Sequence, residues 1–148
     1  FSPKRIILDN KLNTNTNSYL FKTANKENTI FFYNEAHKSK ILEFKKSKIT
    51  LVKSNIDNNK KFNPKIIFKK LYTLGCRNIL VEGGDELTKN FVSNKIFNQF
   101  FLFKGSKDLS KSFEFKEFSG LKILKKNYKK RLKINSNFGK DTITLYKN

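Results

Sequence analysis

Glu82-Gly83-Gly84 is the strongest chemical signal in the chain. These residues follow the apolar run Ile79-Leu80-Val81 and precede Asp85 to Val92, where Leu87 and Phe91 recur at i, i+4. The order predicts a buried strand, a glycine turn and a helix. Open α/β sheets bind ligands at the carboxyl ends of their strands. Two residues without side chains let a ligand approach the backbone there. A helix N-terminus also turns N–H groups and a positive dipole toward a phosphate. The same glycines equally suit a tight strand-to-helix turn that only relieves backbone strain. Asp85 and Glu86 favour the helix dipole but repel an anion unless they point away from it. Glu82 either accepts hydrogen bonds from substrate hydroxyl or amine groups or pairs with Lys or Arg at the sheet rim.

Other chemistries are excluded or weak. The chain has no GxGxxG, no Walker loop and no GxSxG. A single Cys (Cys76) rules out an internal disulfide, and one Cys with one His (His37) rules out a zinc cluster. Cys76 reads as a small buried hydrophobe, and His37 as a surface residue of a polar loop. Lys125 to Lys133 holds six basic residues in nine, interleaved with Tyr128 and Leu132. That is either the solvated face of a hairpin strand or a polyanion patch.

The elements that position these residues follow from pattern. Arg5 to Leu8 holds a short apolar run, expected as a strand buried on both faces, and Thr29 to Tyr33 and Lys48 to Val52 are expected as a second and a third strand. Leu12 to Asn17 and Asn55 to Lys61 are polar connections, and Ile41 to Phe44 fits a short helix or a strand. Asn63 followed by Pro64 is an N-cap with Pro at the first helical position. Ile67, Leu71 and Leu74 then recur at i, i+4, i+7, and Gly75 supplies the stop. Phe97 to Phe103 is a Phe-rich strand, followed by a loop over Gly105 to Lys111. Tyr128 to Ile134 and Thr142 to Tyr146, joined by a turn over Asn135 to Asp141, predict an antiparallel hairpin. Helix, strand, turn and helix in sequence predict an α/β fold with a mostly parallel sheet flanked by helices and that hairpin at its C-terminal end. At 148 residues the chain fits one domain over 1–148.

Composition bears on partners. The net charge is +20 and the pI about 10.1, which ordinarily suggests nucleic acid or an anionic membrane. Lys, Asn, Phe and Ile, however, make up 77 of the 148 residues, and there are two Ala and three Arg. Those four types come from A/T-rich codons, so a base bias supplies the Lys without selection for a partner. Arg, which makes the bidentate contacts of base and phosphate recognition, is scarce. No apolar run reaches a membrane span, and nothing reads as a signal peptide, so the expected setting is cytoplasmic and reducing. With no Met, the sequence is expected to be part of a longer chain.

Arg5-Ile-Ile-Leu-Asp, Leu74-Gly-Cys-Arg-Asn-Ile-Leu-Val-Glu-Gly-Gly-Asp-Glu-Leu, and Gly139-Lys-Asp141 before the last strand resemble the pyrimidine reductase of riboflavin biosynthesis. That enzyme is commonly the C-terminal half of a bifunctional deaminase/reductase. The resemblance implies a dihydrofolate-reductase-like fold, NADPH as cofactor, a small-molecule substrate and a homodimer. It also implies that the domain's first strand precedes Phe1, so that the chain corresponds to the C-terminal two thirds of the domain. By the same resemblance Gly83 and Gly84, with Asp85, Glu86, Leu87 and Thr88, cradle the NADPH phosphates. Asn10 and Lys11 lie near the adenosine 2′-phosphate; the family often has Ser where this chain has Asn10. Glu82 touches the ribosyl or ribityl part of the substrate. Two other readings stay open: a nucleic-acid- or polyanion-binding basic fragment, and a non-catalytic remnant that only dimerises.

Overall fold

The computed structural model describes residues 3–107, 118–135 and 138–148. The chain divides into two compact units, Phe1–Arg77 and Asn78–Asn148.

The first unit is built on a parallel sheet. Its strands are β1 (Arg5–Leu8), β2 (Thr29–Tyr33) and β3 (Thr50–Lys53), in spatial order β1-β2-β3. The central strand β2 is buried from Thr29 to Phe32, as a strand covered on both faces must be. Alternation sends its side chains to two cores. Phe31 joins Leu12, Phe21, Phe44 and Ile49, while Ile30 and Phe32 join Ile67 and Leu71. Helices α1 (Tyr19–Lys22) and α2 (Lys38–Lys46) supply the first core, and α3 (Pro64–Thr73) the second. The sheet is thus sandwiched between helices, the arrangement that parallel strands require.

Local signals explain these elements. The Asn63 side chain accepts the Lys65 N–H at 3.0 Å and Pro64 opens α3. Gly75, at φ +86°, ends it in the left-handed region where an L side chain is strained. The run Ile41 to Phe44 resolves as helix: it lies in α2, with Phe44 fully buried. Arg5 fixes β1 to the loop before β2. Its guanidinium donates to Thr23 Oγ1 and Thr23 O at 2.8 Å each and to Asn28 Oδ1 at 3.3 Å.

The second unit is antiparallel. Strands β4 (Gln99–Lys104), β5 (Arg131–Ile134) and β6 (Thr142–Lys147) lie in order β4-β6-β5. One face packs Phe100, Leu102 and Tyr146 against Val92 of α4 (Asp85–Ser93) and Leu124 of α5 (Leu121–Asn127). Tyr128 completes this core, and its hydroxyl donates to Val92 O at 2.8 Å. The expected C-terminal hairpin is present as β5 and β6. Tyr128 caps α5 rather than entering the strand. Helix α5 is an addition to the sequence reading; Leu121, Leu124 and Tyr128 at i, i+3, i+7 mark its inner face. Of the expected loop over Gly105 to Lys111, residues 108–111 lie outside the described residues, as do 136 and 137 of the expected turn.

One expectation is corrected. Ile79 to Val81 forms neither a strand nor part of a core: Leu80 is 82% exposed, and no described residue pairs with the segment in a ladder. A strand is defined by its neighbour, since its N–H and C=O groups need partners across a sheet. β-branched and apolar side chains alone do not create one. The run is irregular backbone that leads through Glu82 to Gly84 into α4.

Candidate functional site

The residues singled out from the sequence fall in both units. Glu82 to Thr88 belong to the second, Asn10 and Lys11 to the first.

Around Glu82, the glycines that were expected as a turn at a strand end lead directly into a helix. Gly84 is the N-cap of α4, at φ −67° and ψ 176°, and brings no side chain to cap it. The first intrahelical bond runs from the Thr88 N–H to Gly84 O at 3.1 Å, and the Thr88 hydroxyl donates to Gly83 O and Gly84 O at 3.2 and 3.1 Å. Thr88 therefore closes the helix end. The two glycines differ in kind. A Cβ on Gly83 would stand 2.6 Å from Leu87 Cδ2, so Leu87 packing explains that glycine. A Cβ on Gly84 meets nothing within 4 Å, and its backbone angles suit any residue. Packing thus gives no reason for glycine at 84, where the open space lies over the helix N-terminus. That space is what a dinucleotide phosphate needs, and in this respect the residues fit the cofactor.

The acidic first turn does not oppose that fit through Asp85. Its carboxylate turns to Ser119, whose N–H donates to Oδ1 at 2.8 Å. Hydrogen bonds from the Ser119 side chain and backbone, with help from Lys89, hold the Asp85 carboxyl below its ordinary range. Ser119 was not foreseen, because its partner lies 34 residues away. Glu82 is exposed, and no cation among the described residues pairs with its carboxylate.

In the first unit, Asn10 follows β1 at the carboxyl edge of the parallel sheet. Its carbonyl oxygen accepts the Asn34 and Glu35 N–H groups at 3.0 and 3.2 Å. Its side-chain Oδ1 is buried with no hydrogen-bond partner. Lys11 is exposed beside it. Asp9 builds this loop, accepting the Asn13 N–H at 2.9 Å and the Thr14 N–H and hydroxyl at 2.7 Å each. Ser54, which sequence reading passed over, follows β3 at the same edge. Its hydroxyl oxygen is also buried and without a partner. Ser54 looked like an ordinary loop residue, and only the register of three strands reveals its position.

Neither His37 nor Cys76 gathers chemistry. The His37 Nδ1 caps α2 and lies 2.8 Å from the Ser39 hydroxyl, and Cys76 packs beside the Ile67 core. Among the described residues, no group of His, Cys, Asp and Glu is placed to hold a metal ion. No helix among them is long and apolar enough to cross a membrane.

Comparison with known proteins places the chain. It is 26% identical over 145 residues to the riboflavin biosynthesis protein RibD of Aquifex aeolicus, covering 98% of this chain but only 38% of that protein. Its fold matches the crystal structure of a pyrimidine reductase-like protein from Corynebacterium diphtheriae with a TM-score of 0.68 at 15% identity. That match covers 98% of this chain and 60% of the other. Residues 1–131 match the RibD C-terminal domain, and the chain belongs to that family.

Proposed function

We propose that this chain is an NADPH-dependent reductase of riboflavin biosynthesis that reduces 5-amino-6-(5-phosphoribosylamino)uracil to the ribitylamino compound. Membership of the RibD C-terminal domain family supports the reaction class. The observation that carries the reading is the open space at Gly84, over an N-terminus where the Asp85 carboxylate is engaged by Ser119. NADPH, when bound, supplies the hydride. The chain's part is positioning. The first turn of α4 holds phosphate through backbone N–H groups, and Glu82 accepts hydrogen bonds from the sugar hydroxyls and so orients the carbon to be reduced. Glu82→Gln lowers turnover by about ten- to a hundredfold, the loss of one charge-assisted hydrogen bond, and leaves NADPH affinity near wild type. Loss of NADPH absorbance with this substrate checks the first, and fluorescence titration the second. A wild-type protein that binds NADPH and never oxidises it with the aminopyrimidine refutes the reading.

The chain further pairs with a second copy of itself. The outer face of the antiparallel sheet supports this. Its cross-strand rows Phe101, Leu145 and Leu132, and Phe103, Ile143 and Ile134, are wholly apolar. Phe101, Phe103 and Leu132 are exposed on it. Patches of this kind mark association sites.

This reading takes no nucleic-acid partner. Tyr128, the only aromatic among the clustered basic residues, is buried and offers no ring for base stacking. The cluster also divides between the end of α5 (Lys125, Lys126) and β5 (Arg131, Lys133), with Lys129 and Lys130 between them. At about 0.15 M salt the protein should bind duplex DNA no tighter than the micromolar range of nonspecific contact. Submicromolar binding with a steep fall in log affinity against log salt would overturn this.

A further inference from the structure

The Asp85 carboxylate stands where an anion would least tolerate it. Asp85 is the first residue of α4, after an N-cap that brings no side chain. Intrahelical bonding begins at the Thr88 N–H, so the amides of the first turn have no carbonyl within the helix. An aspartate at this position can fold back onto such amides, where it would take the place of a bound anion and repel it. Protonation does not relieve the conflict, because Ser119 holds the carboxyl below its ordinary range.

Ser119 draws this carboxylate aside from a turn that is itself fixed. The Leu121 N–H donates to Phe118 O at 3.1 Å. Gly120, at φ −80° and ψ −6°, has the angles of the third residue of a type I turn. The Phe118 ring stacks on Phe100 with centroids 6.0 Å apart, against the core of Val92, Leu124 and Tyr128. Gly120 leaves room for that ring, since a Cβ there would stand 2.5 Å from Phe118 Cζ. The turn presents the Ser119 N–H to Asp85 Oδ1 at 2.8 Å, and the Ser119 side chain bonds to the same carboxylate. Asp85 and Ser119 are both exposed. Water would satisfy either one, so the need to pair a buried group does not explain the contact.

We propose that Ser119 is a positioning residue for the anion site at the N-terminus of α4: by engaging Asp85 through its N–H and side chain, it keeps the α4 amides open to the cofactor phosphate. This rests on the reductase reading for the identity of the anion as NADPH.

The turn supplies the variant that tests it. Position 119 is the second residue of a type I turn, where Pro is favoured. Ser119→Pro therefore removes both donors and keeps the turn. Fluorescence titration of NADPH against the 148-residue chain forms a double-mutant cycle from wild type, Ser119→Pro, Asp85→Ala and the two together. Ser119→Pro should raise the dissociation constant about three- to tenfold. Asp85→Ala alone should change it by less than about twofold, since the charge it removes is already directed aside. The double variant should return to within about twofold of wild type, because nothing at 85 then competes with phosphate. Should Ser119→Pro fail to fold by circular dichroism, Ser119→Ala takes its place in the cycle. It loses only the side-chain bond, and an effect of about two- to threefold, again removed by Asp85→Ala, is expected.

A folded Ser119 variant with wild-type affinity overturns the proposal. A loss that Asp85→Ala shares, or fails to rescue, makes the contact a brace for the turn and also overturns it. So does an equal gain from Asp85→Ala in wild type and in the Ser119 variant, which means that the charge acts alone. In each of these cases the reductase reading stands, because wild type binds NADPH. If the cycle shows the coupling but NADPH is never oxidised with the aminopyrimidine, the proposal stands and the reductase reading falls. If wild type binds no NADPH, both fall.

Discussion

Gly84→Val should raise the dissociation constant for NADPH at least tenfold while leaving the protein folded. The steric part follows from the backbone. A Cβ at 84 meets nothing in the protein within 4 Å, so a branched side chain there projects into the space over the α4 N-terminus. A phosphate held by backbone N–H groups has no room for it. One or two charge-assisted hydrogen bonds lost, at about 1.5–3 kcal/mol each, give a tenfold effect or more. Stability changes little, because φ −67° and ψ 176° are extended backbone open to Val. Replacing an N-cap Gly by an aliphatic residue costs about 1 kcal/mol or less. Gly83 is the contrast: there the added carbon strikes the Leu87 side chain, so Gly83→Val forces Leu87 to shift. Fluorescence titration of NADPH, with circular dichroism to establish folding, checks the pair. Unchanged affinity in a folded Gly84→Val protein would remove this turn from the cofactor site.

Phe44→Ala should destabilise the first unit by about 3–5 kcal/mol. Phe44 is fully buried on α2, its ring set edge-on to Phe21 at 4.8 Å and to Phe31 at 5.2 Å. Removing it opens a ring-sized cavity between helices and sheet and breaks two aromatic contacts, each worth about 0.5–1.5 kcal/mol beyond its area. Domains of this size are stable by only about 5–15 kcal/mol. The variant should therefore lose a melting transition of the first unit by at least about 10 °C. Leu42→Ala, two residues away on the exposed side of the same helix, should shift it by about 0.5 kcal/mol or less. Thermal melts followed by far-ultraviolet circular dichroism separate the two. Equal melting points for both variants would mean that this core does not govern stability.

These contrasts show what was legible in the sequence. The strands of the first unit were readable because each is an apolar run of four or five residues, and α3 because its cap, its proline and its stop glycine are all local. The start of α4 after Gly84 was readable for the same reason. Ile79 to Val81 was misread because strand formation depends on a neighbour that local sequence cannot reveal. Helix α5 was hidden by its lysines, Lys122, Lys125 and Lys126, which blur a short apolar stripe. The direction of Asp85 and the place of Ser54 were out of reach, since one depends on Ser119 and the other on the alignment of β1, β2 and β3.

The Arg5 fork has a further meaning in a chain so rich in lysine. A base bias that drives codons toward A and T acts as an uncontrolled substitution experiment, exchanging arginine for lysine wherever a positive charge is all that a position requires. Arginine then survives where shape matters. Arg5 engages Thr23 and Asn28 through two nitrogens of one planar group, which a single ammonium cannot reproduce. Arg77 likewise lies flat, its guanidinium carbon 4.0 Å from the Tyr72 ring centre while one nitrogen donates to Tyr72 O at 2.7 Å. In this composition the rarity of a residue is itself a structural signal: two of the three arginines mark joints of the first unit.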